Sequence, residues 1–234
     1  MTPWGARFLP LCGSLLFLLQ DHVSSGNIIA AVGTDVTLRC NYDAQKYGRL
    51  YGCWGRGAIP SRGCANEVIR SDGISVVSRQ SERYLLMGDI VEGDVSLTIR
   101  QVEESDSGIY GCRVEIPGWF NDHKHEQKLT VVAVPPSPLK VEVKEVKERT
   151  VTVQWSPVFN GGRPITSYMV QLKNNQAFWN TAVVTELHNP ALTQVMLMGL
   201  RPAKTYNLRM FAHNIIGQSN SSNVLTITTK EAGT

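Results

Sequence analysis

Asp106-Ser107-Gly108-Ile109-Tyr110-Gly111-Cys112 is the stretch whose reading decides the fold. An acidic turn leads into a strand that carries a tyrosine two residues before a cysteine. That spacing suits a corner in which the phenol bonds back to the chain just upstream, while the cysteine enters the core. Outward from it, Asp35-Val36-Thr37-Leu38-Arg39-Cys40, Asp94 to Arg100 and Lys128 to Val132 alternate apolar and polar residues with period two. Short alternating runs separated by turn residues predict an all-β sandwich or barrel.

Cys40, Trp54 and Cys112 choose between these. A strand-B cysteine bridged to a strand-F cysteine, with a strand-C tryptophan against the bridge, is the immunoglobulin arrangement. Arg83 and Asp106 resemble the ion pair that closes one end of variable-type domains. We assign 26–133 to a V-type domain and the proline-rich 134–138 to a short semi-rigid linker. A second β pattern follows without cysteines. Thr150 to Trp155 alternates, Asn160-Gly161-Gly162-Arg163-Pro164 turns, and Leu200, Pro202, Tyr206, Leu208, Met210, Ala212, Asn214 and Gly217 fall as in fibronectin type III domains. That domain is assigned to 139–230, with Trp155 and Tyr206 as core residues and 231–234 as a tail. The expected fold class is therefore all-β, an immunoglobulin V-type sandwich followed by a fibronectin type III sandwich.

The chain has 234 residues and a net charge of +3. Arg7 before an apolar run, and Val23-Ser24-Ser25 before Gly26, read as a secretory signal peptide over 1–25, which would remove Cys12. The four remaining cysteines, Cys40, Cys53, Cys64 and Cys112, favour two bridges in an oxidising compartment. Secretion, or the outer face of the plasma membrane, is the expected location, because no later segment has the roughly 20 apolar residues that span a bilayer. The positive charge is too scattered for nucleic acid. No Ser-His-Asp or Cys-His context supports an enzyme. Asn220-Ser221-Ser222 is a glycosylation acceptor in the last loop of the second domain.

Between strands F and G lies Glu115-Ile116-Pro117-Gly118-Trp119-Phe120-Asn121-Asp122. Burying each aromatic would gain roughly 1.5 to 3 kcal/mol, so Trp119 and Phe120 either await a partner or fold back on their own domain. Asn121 and Asp122 are either turn residues or oxygen donors for a hard cation such as calcium, bound weakly because one carboxylate is present.

Cys53-Trp54-Gly55-Arg56-Gly57, the run from Gly88 to Ile99, and Arg113 to Asp122 resemble the variable domain of the T-cell immunoglobulin and mucin (TIM) family of phosphatidylserine receptors. The resemblance covers the first domain. It implies Trp119 and Phe120 as a membrane-inserting wedge, Asn121 and Asp122 as side-chain ligands of calcium, and backbone oxygens from Ile116 and Gly118. It also implies pairing of Cys40 with Cys112 and of Cys53 with Cys64. The family's third bridge is missing together with both partners, at positions that align with Ile59 and Gly111; were the loop after strand C freer for it, the lipid cleft would be less preorganised and affinity lower. Arg56, Arg62 and Lys124 read first as scattered surface charge; the alternative sets them near the same end, where they would attract anionic lipid. Glu92-Gly93-Asp94 stands where some relatives carry Arg-Gly-Asp, so no integrin role is implied. The expected function is calcium-dependent binding of phosphatidylserine-exposing membranes. The alternative is an adhesion or immune-receptor ectodomain that meets a protein receptor or a second copy of itself without lipid.

Overall fold

The computed structural model describes residues 26–118 and 121–233. In the first domain the strands are β1 (Asn27–Ala31), β2 (Val36–Leu38), β3 (Gly52–Arg56), β4 (Glu67–Ser71), β5 (Val76–Arg79), β6 (Tyr84–Leu86), β7 (Leu97–Ile99), β8 (Gly108–Val114) and β9 (His123–Val132). One sheet runs β1-β9-β8-β3-β4-β5, with β1 parallel to β9, and the other runs β2-β7-β6. Their inner faces enclose Leu38, Trp54, Ile69, Leu97, Ile99, Val102, Tyr110 and Leu129.

Period-two alternation explains that core. On β8, Tyr110, Cys112 and Val114 point inward, and Cys112 is bonded to Cys40 across the sandwich. Trp54, opposite Cys112, is 1% exposed, and its indole N–H donates to the Val95 carbonyl at 2.6 Å. Tyr110 donates its hydroxyl to the Asp106 carbonyl at 2.9 Å, which forms the corner that the spacing predicts. Arg83 grips both carboxylate oxygens of Asp106 at 2.7 and 2.9 Å. Burial alone would raise the Asp106 carboxyl, but the Arg83 bonds and the Glu103 N–H hold it below the usual carboxylate range.

The second domain holds β10 (Val141–Val146), β11 (Val151–Trp155), β12 (Ser167–Asn174), β13 (Val183–Leu187), β14 (Gln194–Leu197), β15 (Thr205–His213) and β16 (Leu225–Thr228). Sheet β10-β11-β14 packs on sheet β13-β12-β15-β16. Trp155 lies in this core, with its ring edge-on to Tyr168 at 5.1 Å. Tyr206, half-buried, packs against the same core, and its hydroxyl accepts the Arg201 N–H at 3.0 Å.

The proline-rich stretch is tied to the second domain. The Val134 N–H donates to Gly161, the Ser137 N–H donates to Phe159, and the Asn214 amide donates to the Val134 carbonyl. Across the joint, the Phe159 ring faces Gly33, Val32 lies beside Gly162, and Arg163 makes a two-pronged ion pair with Glu104 at 2.6 and 2.9 Å.

Candidate functional site

Alternation also decides what the outer face of the large sheet carries. Cys53 lies opposite Arg113 and Gly55 opposite Gly111, so these four share the face away from the core. Yet Gly111 and Arg113 are as buried as their inward neighbours. Residues 57–66 cover them, leaving β3 at Arg56 and folding back over the sheet. A Cβ on Gly55 would collide with the Ala65 carbonyl, and one on Gly111 would come within 2.5 Å of the Ile59 side chain. The paired glycines thus form a trough in which the loop lies. The Gly57 N–H donates to Ile109 at 2.8 Å, the Ile59 N–H donates to the Glu126 carboxylate at 2.7 Å, and Cys64 is bonded to Cys53.

Arg113 joins this loop to the hairpin between β8 and β9. Its side chain is 8% exposed. Nη1 donates to the carbonyls of Pro60 at 3.1 Å and Gly63 at 3.3 Å, and Nη2 donates to that of Ser61 at 3.0 Å. Nε donates to Asp122 Oδ2 at 2.8 Å, and Nη2 reaches the same oxygen. A guanidinium offers five N–H groups in a fixed fork, and a buried one needs acceptors for them. Sequence reasoning missed this residue. The available signal was a charge amid a buried strand, at a position the alternation puts opposite a disulfide cysteine.

On the hairpin, Ile116 packs against the core, while Pro117, Gly118 and Asn121 are exposed. Gly118 has φ of 122°, and a Cβ there would strike the Asn121 amide, which makes a long 3.5 Å hydrogen bond to the Pro117 carbonyl. Asn121 and Asp122 therefore stand together at the hairpin's surface, the first folded over Gly118 and the second held by Arg113. Trp119 and Phe120, read from sequence as a membrane wedge, lie outside the described residues, as does the segment read as a signal peptide. Among the described residues no group of three or more His, Cys, Asp or Glu side chains could hold a metal.

Arg56 lies at the far end of β3 from the hairpin, donating to the Ser105 and Ser107 carbonyls with its guanidinium over the Tyr110 ring. The chain folds back only after this residue, so it cannot join the hairpin's charges. In the loop after strand C, Ile59 lies over Gly111 and Arg113 binds the three carbonyls of Pro60, Ser61 and Gly63. A depression of about 250 Å³ opens beside it, lined by Tyr51, Gly52, Cys53, Gly63, Arg70 and Glu115. Asn220 is exposed, and the Ser222 hydroxyl of its acceptor triplet accepts the Met210 N–H at 2.8 Å.

The Immunoglobulin V-set domain family matches residues 23–134 and the Fibronectin type III domain family matches 135–228. Both are binding modules of receptor ectodomains, not enzymes. Mouse T-cell immunoglobulin and mucin domain-containing protein 4 is 44% identical over 111 residues, 47% of this chain and 32% of that protein. The mouse hepatitis A virus cellular receptor 1 homolog is 51% identical over 111 residues, 47% of this chain and 36% of that protein. The chain thus spans about a third of these two relatives. Chicken cell adhesion molecule DSCAM is 34% identical over 161 residues, 67% of this chain and 8% of that protein. Among solved structures, Tim-1 is 50% identical, covering 48% of this chain and 97% of that one with a TM-score of 0.46. Tim-4 in complex with phosphatidylserine is 43% identical, covering 45% and 97% with a TM-score of 0.43. No helix of the described residues is long and apolar enough to cross a membrane. The chain joins an immunoglobulin V-set domain, similar to the variable domains of these T-cell immunoglobulin and mucin relatives, to a fibronectin type III domain.

Proposed function

We propose that the first domain is an extracellular recognition module for phosphatidylserine-exposing membranes, and that it binds them together with calcium. The carrying observation is the gathering of Asn121 and Asp122 at an exposed hairpin, locked through Arg113 to a second loop, in a sequence 44% identical to the mouse mucin-domain protein 4. A solved relative, Tim-4, is in complex with phosphatidylserine. In this reading Trp119 and Phe120 insert at the interface, where tryptophan is favoured.

The residues fit a hard cation in kind, since Asn121, Asp122 and the Ile116 and Gly118 carbonyls offer oxygen alone. They fit it weakly in charge, because Arg113 already pairs with the one carboxylate. Calcium would supply the positive charge that lets this carboxylate and a lipid phosphate approach. The chain's residues do the rest: Gly118 turns the hairpin, Asn121 presents its amide oxygen, and Arg113 fixes the Asp122 carboxylate against the neighbouring loop.

Vesicle flotation tests this. The expected result is capture by phosphatidylserine vesicles in calcium, loss in chelator, and loss on Asn121→Ala or on Trp119→Ala with Phe120→Ala. Equal capture by phosphatidylcholine vesicles would overturn the reading. The DSCAM match extends over 161 residues and favours protein-mediated adhesion as a second reading, including contact with another copy. Retention of a protein partner in excess chelator would support it.

A further inference from the structure

We infer that Arg113 is a positioning residue with two duties. It clamps loop 57–66 to the sheet in place of a covalent tie between positions 59 and 111, and it shares the Asp122 carboxylate so that the hairpin holds a cation poorly until an anionic headgroup arrives. The second duty rests on the lipid reading above, whereas the first stands on the geometry alone.

The clamp follows from where the loop is held. Its ends are fixed by the Gly57 N–H and the Cys53–Cys64 bridge. Its middle has the Ile59 contact over Gly111, the Ile59 N–H to Glu126, and the three carbonyls of Pro60, Ser61 and Gly63. Those carbonyls converge on one guanidinium, which a lysine's single ammonium cannot replace donor for donor. The fork's remaining direction meets Asp122, so hairpin and loop keep one relative position.

The sharing follows from charge. Arg113 and Asp122 together are neutral, and a cation on the free side of the carboxylate lies within a few ångströms of a fixed positive charge. Lipid phosphate adds the missing negative charge, so cation and headgroup each raise the other's affinity, as linkage requires.

The test uses the wild type, Arg113→Gln, and Arg113→Gln carrying Ile59→Cys and Gly111→Cys, positions close enough that a Cβ on Gly111 would come within 2.5 Å of the Ile59 side chain. Amide hydrogen exchange over 57–66 should quicken by at least about tenfold in Arg113→Gln and return toward wild type when the bridge is added. Unchanged protection in Arg113→Gln would overturn the clamp. Calcium titration without lipid should show affinity higher by on the order of tenfold in the bridged variant than in wild type, because the opposing charge is gone. Equal or lower affinity would overturn the sharing. Should Arg113→Gln fail to fold by circular dichroism, Arg113→Lys serves instead: it keeps the charge and loses the fork, so exchange should quicken while lipid-free calcium affinity stays unchanged. A raised calcium affinity there would overturn the electrostatic account. If wild type ignores phosphatidylserine vesicles in calcium, the lipid reading fails and coupled headgroup binding falls with it, while the exchange result still decides the clamp.

Discussion

At the residue scale, the hairpin depends on one backbone conformation and one buried pair. Gly118 at φ 122° has a backbone conformation that L side chains rarely adopt, and a Cβ there would push the Asn121 amide aside. Gly118→Ala should therefore strain the turn by about 1 kcal/mol or more and displace Asn121. The expected outcome is weaker calcium dependence in vesicle binding and a first-domain melting temperature lower by about 4 °C or more, the shift that such a loss produces in a domain of this size. Asp122 differs, since its carboxylate faces a guanidinium that is 8% exposed. Asp122→Ala should cost about 2 kcal/mol of stability as well as cation binding, because it removes the charged partner of a buried charge. Denaturant titration separates the two, and Asn121→Ala should leave the midpoint unmoved.

At the scale of elements, the corner between the short turn at Glu104–Asp106 and β8 carries the first domain's acid sensitivity. The Asp106 carboxyl is net depressed in the folded protein. Its contribution is fully present above its unfolded value of about 4 and disappears as pH falls through the lower folded value. Urea midpoints of the first domain should hold from neutrality to about pH 5 and drop below about pH 4. Arg83→Ala should lower the neutral-pH stability by about 3 kcal/mol and flatten that acid limb, because the carboxylate loses its pair. An unchanged acid limb in the variant would show that other carboxylates govern it.

At the scale of the whole molecule, the two sandwiches differ in how they are stapled. Both bridges lie in the first domain. Reductant should cost that domain about 2 to 5 kcal/mol and leave the second domain's calorimetric transition in place. The joint carries the Arg163–Glu104 pair, whose side chains are 39% and 40% exposed. Such a pair contributes at most about 1 kcal/mol, so Arg163→Ala should leave both transitions nearly unmoved. Small-angle scattering should instead show a wider range of domain angles, and high salt should act on the wild type in the same direction.

The sequence by itself determined the fold class, because period-two alternation, the Cys40–Trp54–Cys112 constellation and the Tyr110 corner are local or fixed-spacing signals that few other architectures satisfy. It also drew attention to the 115–122 hairpin, since paired aromatics beside oxygen donors are conspicuous in a list of residues. Only the tertiary structure brought Pro60, Ser61 and Gly63 onto Arg113 and set Arg56 at the opposite end of β3. Those outcomes hang on the path of a loop that reverses over two opposed glycines. Contacts between segments fifty residues apart depend on register and steric room, which no local pattern encodes.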